Sequence, residues 1–385
     1  MTNTIASLEK RLEQRRMSDS ERSLSLSSGT DFTSNDYLGQ ARCVKLRERI
    51  TQELAFMSDC ANGAGGSRLL SGNIGYAEEL EDFIAAFHNA ESALLFNSGY
   101  DANIGLFSAI ATRHDTIFYD ELAHASIIDG IRLSHATAFK FAHNDLAQLE
   151  SKLKLAKGNV FIAVESLYSM DGDKAPLREL AEFTRKHDAN LIVDEAHATG
   201  VFGNHGRGLV NELGLEAYVF ARVHTFGKAL GVHGAAIVGP KVLRNILVNF
   251  ARSFIYTTAL PLHSLVAVRS AYDEMQNGDE KRMKLARLIA HFLHASQKYP
   301  GIFISYNVSP IQSIRIPGNE NARKIAGELR VQGFDVRAIF SPTVPEGTER
   351  LRICLHSFNT IEQIDDLFRA LEKLLLHQDS LCAFA

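Results

Sequence analysis

Cysteine is scarce in this chain. The four present, Cys43, Cys60, Cys354 and Cys382, form no C-x-x-C pair, which argues against a disulfide or zinc framework. No metal site is expected. Charge of one sign is also lacking: 41 Lys and Arg stand against 45 Asp and Glu, a formal net charge of −4. A nucleic-acid surface requires a basic excess, so no nucleic-acid partner is expected. No apolar run approaches the ~20 residues of a membrane-crossing helix. The opening MTNTIASLEKRLEQRR is polar, without the apolar core of a signal peptide. The expectation is a cytoplasmic chain with no membrane partner. Two nucleotide fingerprints are missing too. No G-x-G-x-x-G follows a strand, and Lys228 lacks the upstream glycine and following hydroxyl of a Walker A loop. No internal repeat is visible.

What is present suits a globular α/β chain. With 385 residues, 45% hydrophobic and 22% charged, the chain is long enough for a sizeable core and two packed domains. Residues 5–16 alternate apolar and charged positions at helical spacing and predict a solvated helix. The Ser-rich run SDSERSLSLSSGTD reads as a loop or arm. FTSNDYLG reads as a turn in which Asn35 has either a structural or a ligand role. Residues 62–75 carry five glycines around Arg68, fitting either a flexible loop or close backbone approach to an anion. Residues 76–89 predict an amphipathic helix. Asn97-Ser98-Gly99-Tyr100 is a small-residue turn before a second helix, where free N–H groups can meet a phosphate. Thr116–Tyr119 predicts a strand, with His124 just past its end. Val160–Val164, a helix after Pro176, and Leu191–Val193 make a βαβ unit. It sets Glu165, Ser169 and Asp194 at one carboxyl edge, where open α/β sheets bind ligands. Strand-like runs at 218–223 and 235–238 flank Lys228. Residues 266–299 predict one long helix. IFISYN, QSIRIP, FDVRAIF and LRICLH predict strands of a smaller α+β lobe closed by a helix near 361–376.

The stretch LIVDEAHATGVFGNHGRGLVNELGLEAYVFARVHTFGKALG, residues 191–231, carries the chemistry. An apolar run ends on Asp194, His197 follows, and a second apolar run leads to His224-Thr225-Phe226-Gly227-Lys228. A strand-end carboxylate followed by a lysine beside small and hydroxyl residues fits pyridoxal phosphate. The lysine condenses with the aldehyde, and the carboxylate keeps the pyridinium nitrogen protonated.

These motifs, with SNDYLG, GAGGSRLLSG, FNSGYDAN, DELAHAS, YSMDGDKAPL, VDEAHATGVFG and GTERLRICL, resemble the α-oxoamine synthases, which are fold-type I pyridoxal-phosphate enzymes. The resemblance runs from about residue 32 to 356. It implies a mostly parallel α/β large domain at 41–278, a smaller α+β domain at 279–385, and an N-terminal helix and arm at 1–40. It implies that Lys228 holds the cofactor and moves protons, that Asp194 pairs with the ring nitrogen, and that His124 stacks on the ring. His197 and Ser169 would meet the phenolic oxygen; Gly99, Tyr100 and Thr225 would hold the phosphate. Thr257 or Thr258 would reach the phosphate of a neighbouring subunit in a homodimer. Asn35 and Arg352 would grip the amino-acid carboxylate, and Arg22 would lie near the acyl substrate. The activity implied is decarboxylative condensation of L-alanine with a pimeloyl thioester, carried on coenzyme A or acyl carrier protein. Relatives using glycine or serine share these residues. A silent scaffold on the same fold is the other alternative, against which Lys228, Asp194, His124 and Arg352 argue. One position departs from the family: the helix after SGN carries Tyr76 where a histidine is usual.

Overall fold

The computed structural model describes residues 3–57 and 60–382, with only the backbone of 377–382. The chain divides into two compact units. One comprises Asn35–Ser169 and Asp173–Arg282; the other comprises the residues up to Ser34, Met170–Gly172, and those from Met283 on.

The larger unit is built on a seven-stranded sheet. Its strands are β1 (Ser92–Phe96), β2 (Thr116–Asp120), β3 (Thr137–Phe141), β4 (Val160–Glu165), β5 (Asn190–Asp194), β6 (Ala221–Thr225) and β7 (Ala235–Gly239). The order is β1-β7-β6-β5-β4-β2-β3, and only β7 runs antiparallel to its neighbours. Side chains alternate between the faces of each strand, and both faces are apolar. Leu94, Phe96, Ala235 and Ile237 join one buried cluster with Leu106, Phe107, Ile127 and Leu247. Ala93, Leu95, Ala236 and Val238 join the other with Leu80, Ile84, Leu265 and Tyr272. Each fully buried Leu, Ile or Phe contributes about 1.5–3 kcal/mol, so two helix-covered faces hold the sheet firmly.

Register brings the chemistry to one edge. Glu165 is paired with Asp194, Asp194 with Val223, and both Thr225 and Phe96 with Ala235. The carboxyl ends of β1, β2, β4, β5 and β6 therefore open on the same side.

The smaller unit holds a three-stranded antiparallel sheet of β8 (Ile311–Arg315), β9 (Arg337–Ile339) and β10 (Arg350–Cys354), with β10 central. Helices Asn319–Val331 and Ile361–Cys382 accompany it. Two expectations need correction. The predicted long helix is two helices, Leu262–Gln276 and Asp279–Ser296, because Asn277-Gly278 ends the first. IFISYN is no strand: Ile304 makes a single isolated bridge to Ile314. Among the described residues, no helix is long and apolar enough to cross a membrane.

Candidate active site

A cavity of about 300 Å³ opens at the carboxyl edge of the large sheet, within the larger unit. Lys228, Asp194, His124, Gly99, Tyr100, Thr225 and Asn35 all line it, as do Asn103, Ser126 and Glu165. The strands place these residues directly. Glu165, Asp194 and Thr225 are the last residues of β4, β5 and β6; Lys228 follows β6 by three positions. His124 caps the helix Ala125–Ser134 that follows β2.

The helix Gly99–Ile110 begins at the cavity wall. Its N-cap, Ser98, accepts from the Asp101 N–H at 3.1 Å. The N–H groups of Gly99 and Tyr100 lie in the first turn, where no preceding helical carbonyl meets them. Glycine at 99 is required by packing, since a Cβ there would lie 2.4 Å from Thr225 Cγ2. The helix start thus packs against the Thr225 methyl, and the Thr225 hydroxyl donates to the Ala196 carbonyl oxygen at 3.4 Å.

Asp194 is 6% exposed, and both its oxygens are engaged: Oδ1 by the Ala196 N–H at 2.8 Å, Oδ2 by Asn103 Nδ2 at 2.7 Å. Beside it, burial and the Asp194 charge push the Glu165 carboxyl up to about 8, against the lowering effect of Lys228. Glu165 is therefore protonated at neutral pH. His124 lines the cavity and keeps more than a third of its surface exposed, so the surrounding protein desolvates it only in part. That burial lowers its pKa, Asp194 opposes the shift, and Lys228 adds to it. His124 is a neutral imidazole at pH 7.

His197 and Ser169 do not line this cavity. His197 is buried behind it, with Nδ1 2.7 Å from the Tyr37 hydroxyl, which in turn donates to Asn35 Oδ1 at 3.1 Å. Ser169 sits half-buried in the loop after β4. Thr257 Oγ1 and the Thr258 carbonyl both accept from Asn97 Nδ2, at 3.0 and 2.9 Å, and Thr257 lines a separate cavity of about 20 Å³. Arg22 and Arg352 belong to the smaller unit. Arg352 lies on β10 opposite Ser313 and Arg337, and its Nη1 donates to Cys354 Sγ at 3.0 Å. Arg22 is largely exposed, with Nη2 3.4 Å from Thr343 Oγ1. Arg68 is not available to a ligand; its guanidinium forks onto the buried Glu81, at 2.8 and 3.3 Å. Tyr76 lines another cavity of about 280 Å³ with Arg49, Glu53, Arg269 and Asp273.

Sequence reading missed Asn103, Ser126 and Tyr37 as site residues. Each lies inside a motif quoted above, FNSGYDAN, DELAHAS or SNDYLG, but only their packing singles them out.

The residues fit pyridoxal phosphate. An amine, an anion held at a strand end, an aromatic wall and a helix N-terminus with a hydroxyl match its aldehyde, ring nitrogen, ring face and phosphate. Two buried acceptor atoms in residues that line the cavity, Asn103 Oδ1 and Glu165 Oε1, have no hydrogen-bond partner.

The sequence profile of the family described as aminotransferase class I and II matches residues 27–371. The 8-amino-7-oxononanoate synthase of Emericella nidulans is 47% identical over 371 residues, covering 90% of this chain and 89% of its own. The structure of 8-amino-7-oxononanoate synthase from Francisella tularensis superposes with a TM-score of 0.79 at 31% identity, over 91% of this chain and 99% of that one. A serine palmitoyltransferase variant from S. paucimobilis, with a bound PLP–myriocin aldimine, superposes at 0.87 with 25% identity, over 97% and 98% of the two chains.

Proposed function

We propose, since the chain belongs to the aminotransferase class I and II family, that it binds pyridoxal 5′-phosphate and condenses L-alanine with a pimeloyl thioester. The products are 8-amino-7-oxononanoate, carbon dioxide and the free thiol, a step of biotin biosynthesis. One observation carries the reading: Lys228, Asp194 and His124 face a single cavity beside the helix start at Gly99, in a chain 47% identical to an 8-amino-7-oxononanoate synthase.

Bound there, the cofactor supplies an electron sink for a carbanion at the amino acid's α-carbon. Lys228 Nζ would anchor it, then take the α-proton of alanine and return a proton to the product carbon. Asp194 would hold the proton on the ring nitrogen, being a fixed anion with two donors already on it. The neutral His124 imidazole would cover the ring face. The N–H groups of Gly99 and Tyr100, with the Thr225 hydroxyl, would hold the phosphate. His197 would work from behind, alongside Ser169, toward the phenolic oxygen. Asn35 would take the alanine carboxylate together with Arg352, whose planar fork suits a two-bond grip. Arg22 would meet the distal carboxylate of the pimeloyl chain.

Assembly belongs to the same reading. The active form would be a homodimer, with Thr257 or Thr258 reaching the phosphate of the neighbouring site, working in the cytoplasm. The acyl carrier would be coenzyme A or acyl carrier protein.

The test is thiol release by the purified, cofactor-loaded protein, pairing alanine, glycine or serine with pimeloyl, acetyl or palmitoyl thioesters. Alanine with pimeloyl thioester should turn over fastest. Faster turnover of glycine with acetyl thioester would discard this substrate pair.

A further inference from the structure

We propose that Asn103 is a positioning residue: its one carboxamide fixes the Asp194 carboxylate and, through the Ser126 hydroxyl, holds His124 as the Nε2–H tautomer. The inference deepens the cofactor reading above, since Asp194 and His124 are the groups assigned there to the ring nitrogen and the ring face.

The geometry starts from helix packing. Asn103 lies on the helix Gly99–Ile110 and Ser126 at the start of Ala125–Ser134. The two helices approach closely at Gly130, where a Cβ would lie only 2.7 Å from the Asn103 carbonyl oxygen. The amide of Asn103 is thereby pressed into the wall, 2% exposed, with Ser126 fully buried beside it.

Both hydrogens of the Asn103 amide are used. One goes to Asp194 Oδ2 at 2.7 Å, the other to Ser126 Oγ at 3.0 Å. The reverse orientation would set the amide oxygen against a carboxylate oxygen, so the donors must point this way. Ser126 Oγ, having accepted from Asn103, has its own proton to give, and His124 Nδ1 lies 2.7 Å away. The Ser126 backbone N–H also points at that nitrogen, at 3.3 Å. Two donors converge on Nδ1, so it carries the lone pair and the ring proton sits on Nε2. Asn103 Oδ1 is left buried without a partner. A fold that keeps an unpaired carbonyl oxygen there does so because the two donated bonds outweigh it.

The test separates the two branches. Histidine labelled with ¹⁵N reports the tautomer of His124 in the protein without cofactor, its signals identified by their loss in His124→Gln. Wild type should show a protonated Nε2 and an unprotonated Nδ1. Asn103→Leu, similar in shape but without donors, should collapse this to an average of both tautomers. Ser126→Ala should shift the populations the same way but by less, because it removes the hydroxyl and leaves the backbone N–H on Nδ1. In the loaded protein, Asn103→Leu should lower kcat about 10- to 100-fold, as losing a hydrogen bond to a charged group does, with KM for the thioester unchanged. Ser126→Ala should lower kcat less. An unchanged His124 spectrum in Ser126→Ala overturns the relay even if Asn103→Leu does not fold. Equal kcat losses in the two variants overturn the separate role toward Asp194. The tautomer readout needs no cofactor, so failure to bind pyridoxal phosphate would sink the functional reading and leave this one standing.

Discussion

Two histidines near the carboxyl edge of the large sheet are held in opposite charge states. His124 is partly desolvated and receives two donors on Nδ1, so it stays neutral. His143 is also partly buried, but its nitrogens face carboxylates: Nδ1 lies 3.0 Å from Asp120 Oδ1 and Nε2 2.6 Å from Asp173 Oδ2. Burial alone would lower its pKa; bonds and charge from Asp120, then Asp173, push it up to about 10. Asp120 ends β2 and is fully buried, whereas Asp173 lies beyond β4, so the imidazolium ties two strand-end loops together. The residue type is the same. What differs is whether the partners give or accept hydrogen bonds, and that divides a cavity wall from a structural clamp.

Breaking the clamp should have the largest effect. His143→Gln leaves two carboxylates facing each other and should cost about 3 kcal/mol of folding stability, read by urea titration at pH 7. Turnover of the folded protein should change less than about twofold, since no donor to the cavity is lost. The clamp also has a pH signature. Because the folded pKa lies above the ordinary 6.5, its stabilisation is complete below that value and is lost as pH rises through about 10. The His143→Gln variant should lack that alkaline loss.

His124→Phe should show the reverse pattern. It keeps an aromatic wall and removes both ring nitrogens, so kcat should fall about 10- to 100-fold. Stability should fall by no more than about 1 kcal/mol, the worth of the lost helix cap. A stability loss as large as that of His143→Gln would erase the distinction between the two histidines.

The remaining effect, a pH slope rather than a loss at one pH, belongs to Glu165. Its carboxyl is raised to about 8, from an ordinary 4.5, chiefly by burial. The contribution is full below pH 4.5 and is lost as pH rises through 8, so folding stability should decline across that window. Glu165→Gln should make the decline shallower. Glu195, raised to about 7 by burial, contributes in the same direction and should keep it from vanishing. An unaltered slope would contradict the protonated state of Glu165 at the cavity wall.

Much of this site was legible in the sequence, for a physical reason. Lys228, Asp194 and His124 follow strands, and parallel strands deliver their ends to one edge whatever the loops do. The helix start at Gly99 was legible from the small-residue turn, but any strand–turn–helix junction looks alike, so only the surrounding FNSGYDAN motif singled it out. Asn103 and Ser126 were not legible. Their roles depend on two helices meeting at Gly130 and on Asp194 arriving from a distant strand, and no local pattern records either. Arg68 misled in the opposite way: a guanidinium among glycines suggested an anion site, while Glu81 from the next helix already occupies it. In the fold, helical periodicity continued across Asn277-Gly278 and hid a turn that the dipeptide itself signals. IFISYN had the apolar spacing of a strand, but only Ile304 finds a bridging partner.

The central claim is that Lys228 carries pyridoxal phosphate in the cavity bounded by Asp194 and His124. Borohydride reduction of the loaded protein fixes the cofactor to whichever amine holds it, and peptide mass spectrometry locates it. The account predicts a pyridoxyl group on the peptide containing Lys228, absent in Lys228→Ala together with turnover. A label on another lysine, or a Lys228→Ala protein that still forms the covalent link and turns over alanine, would contradict it.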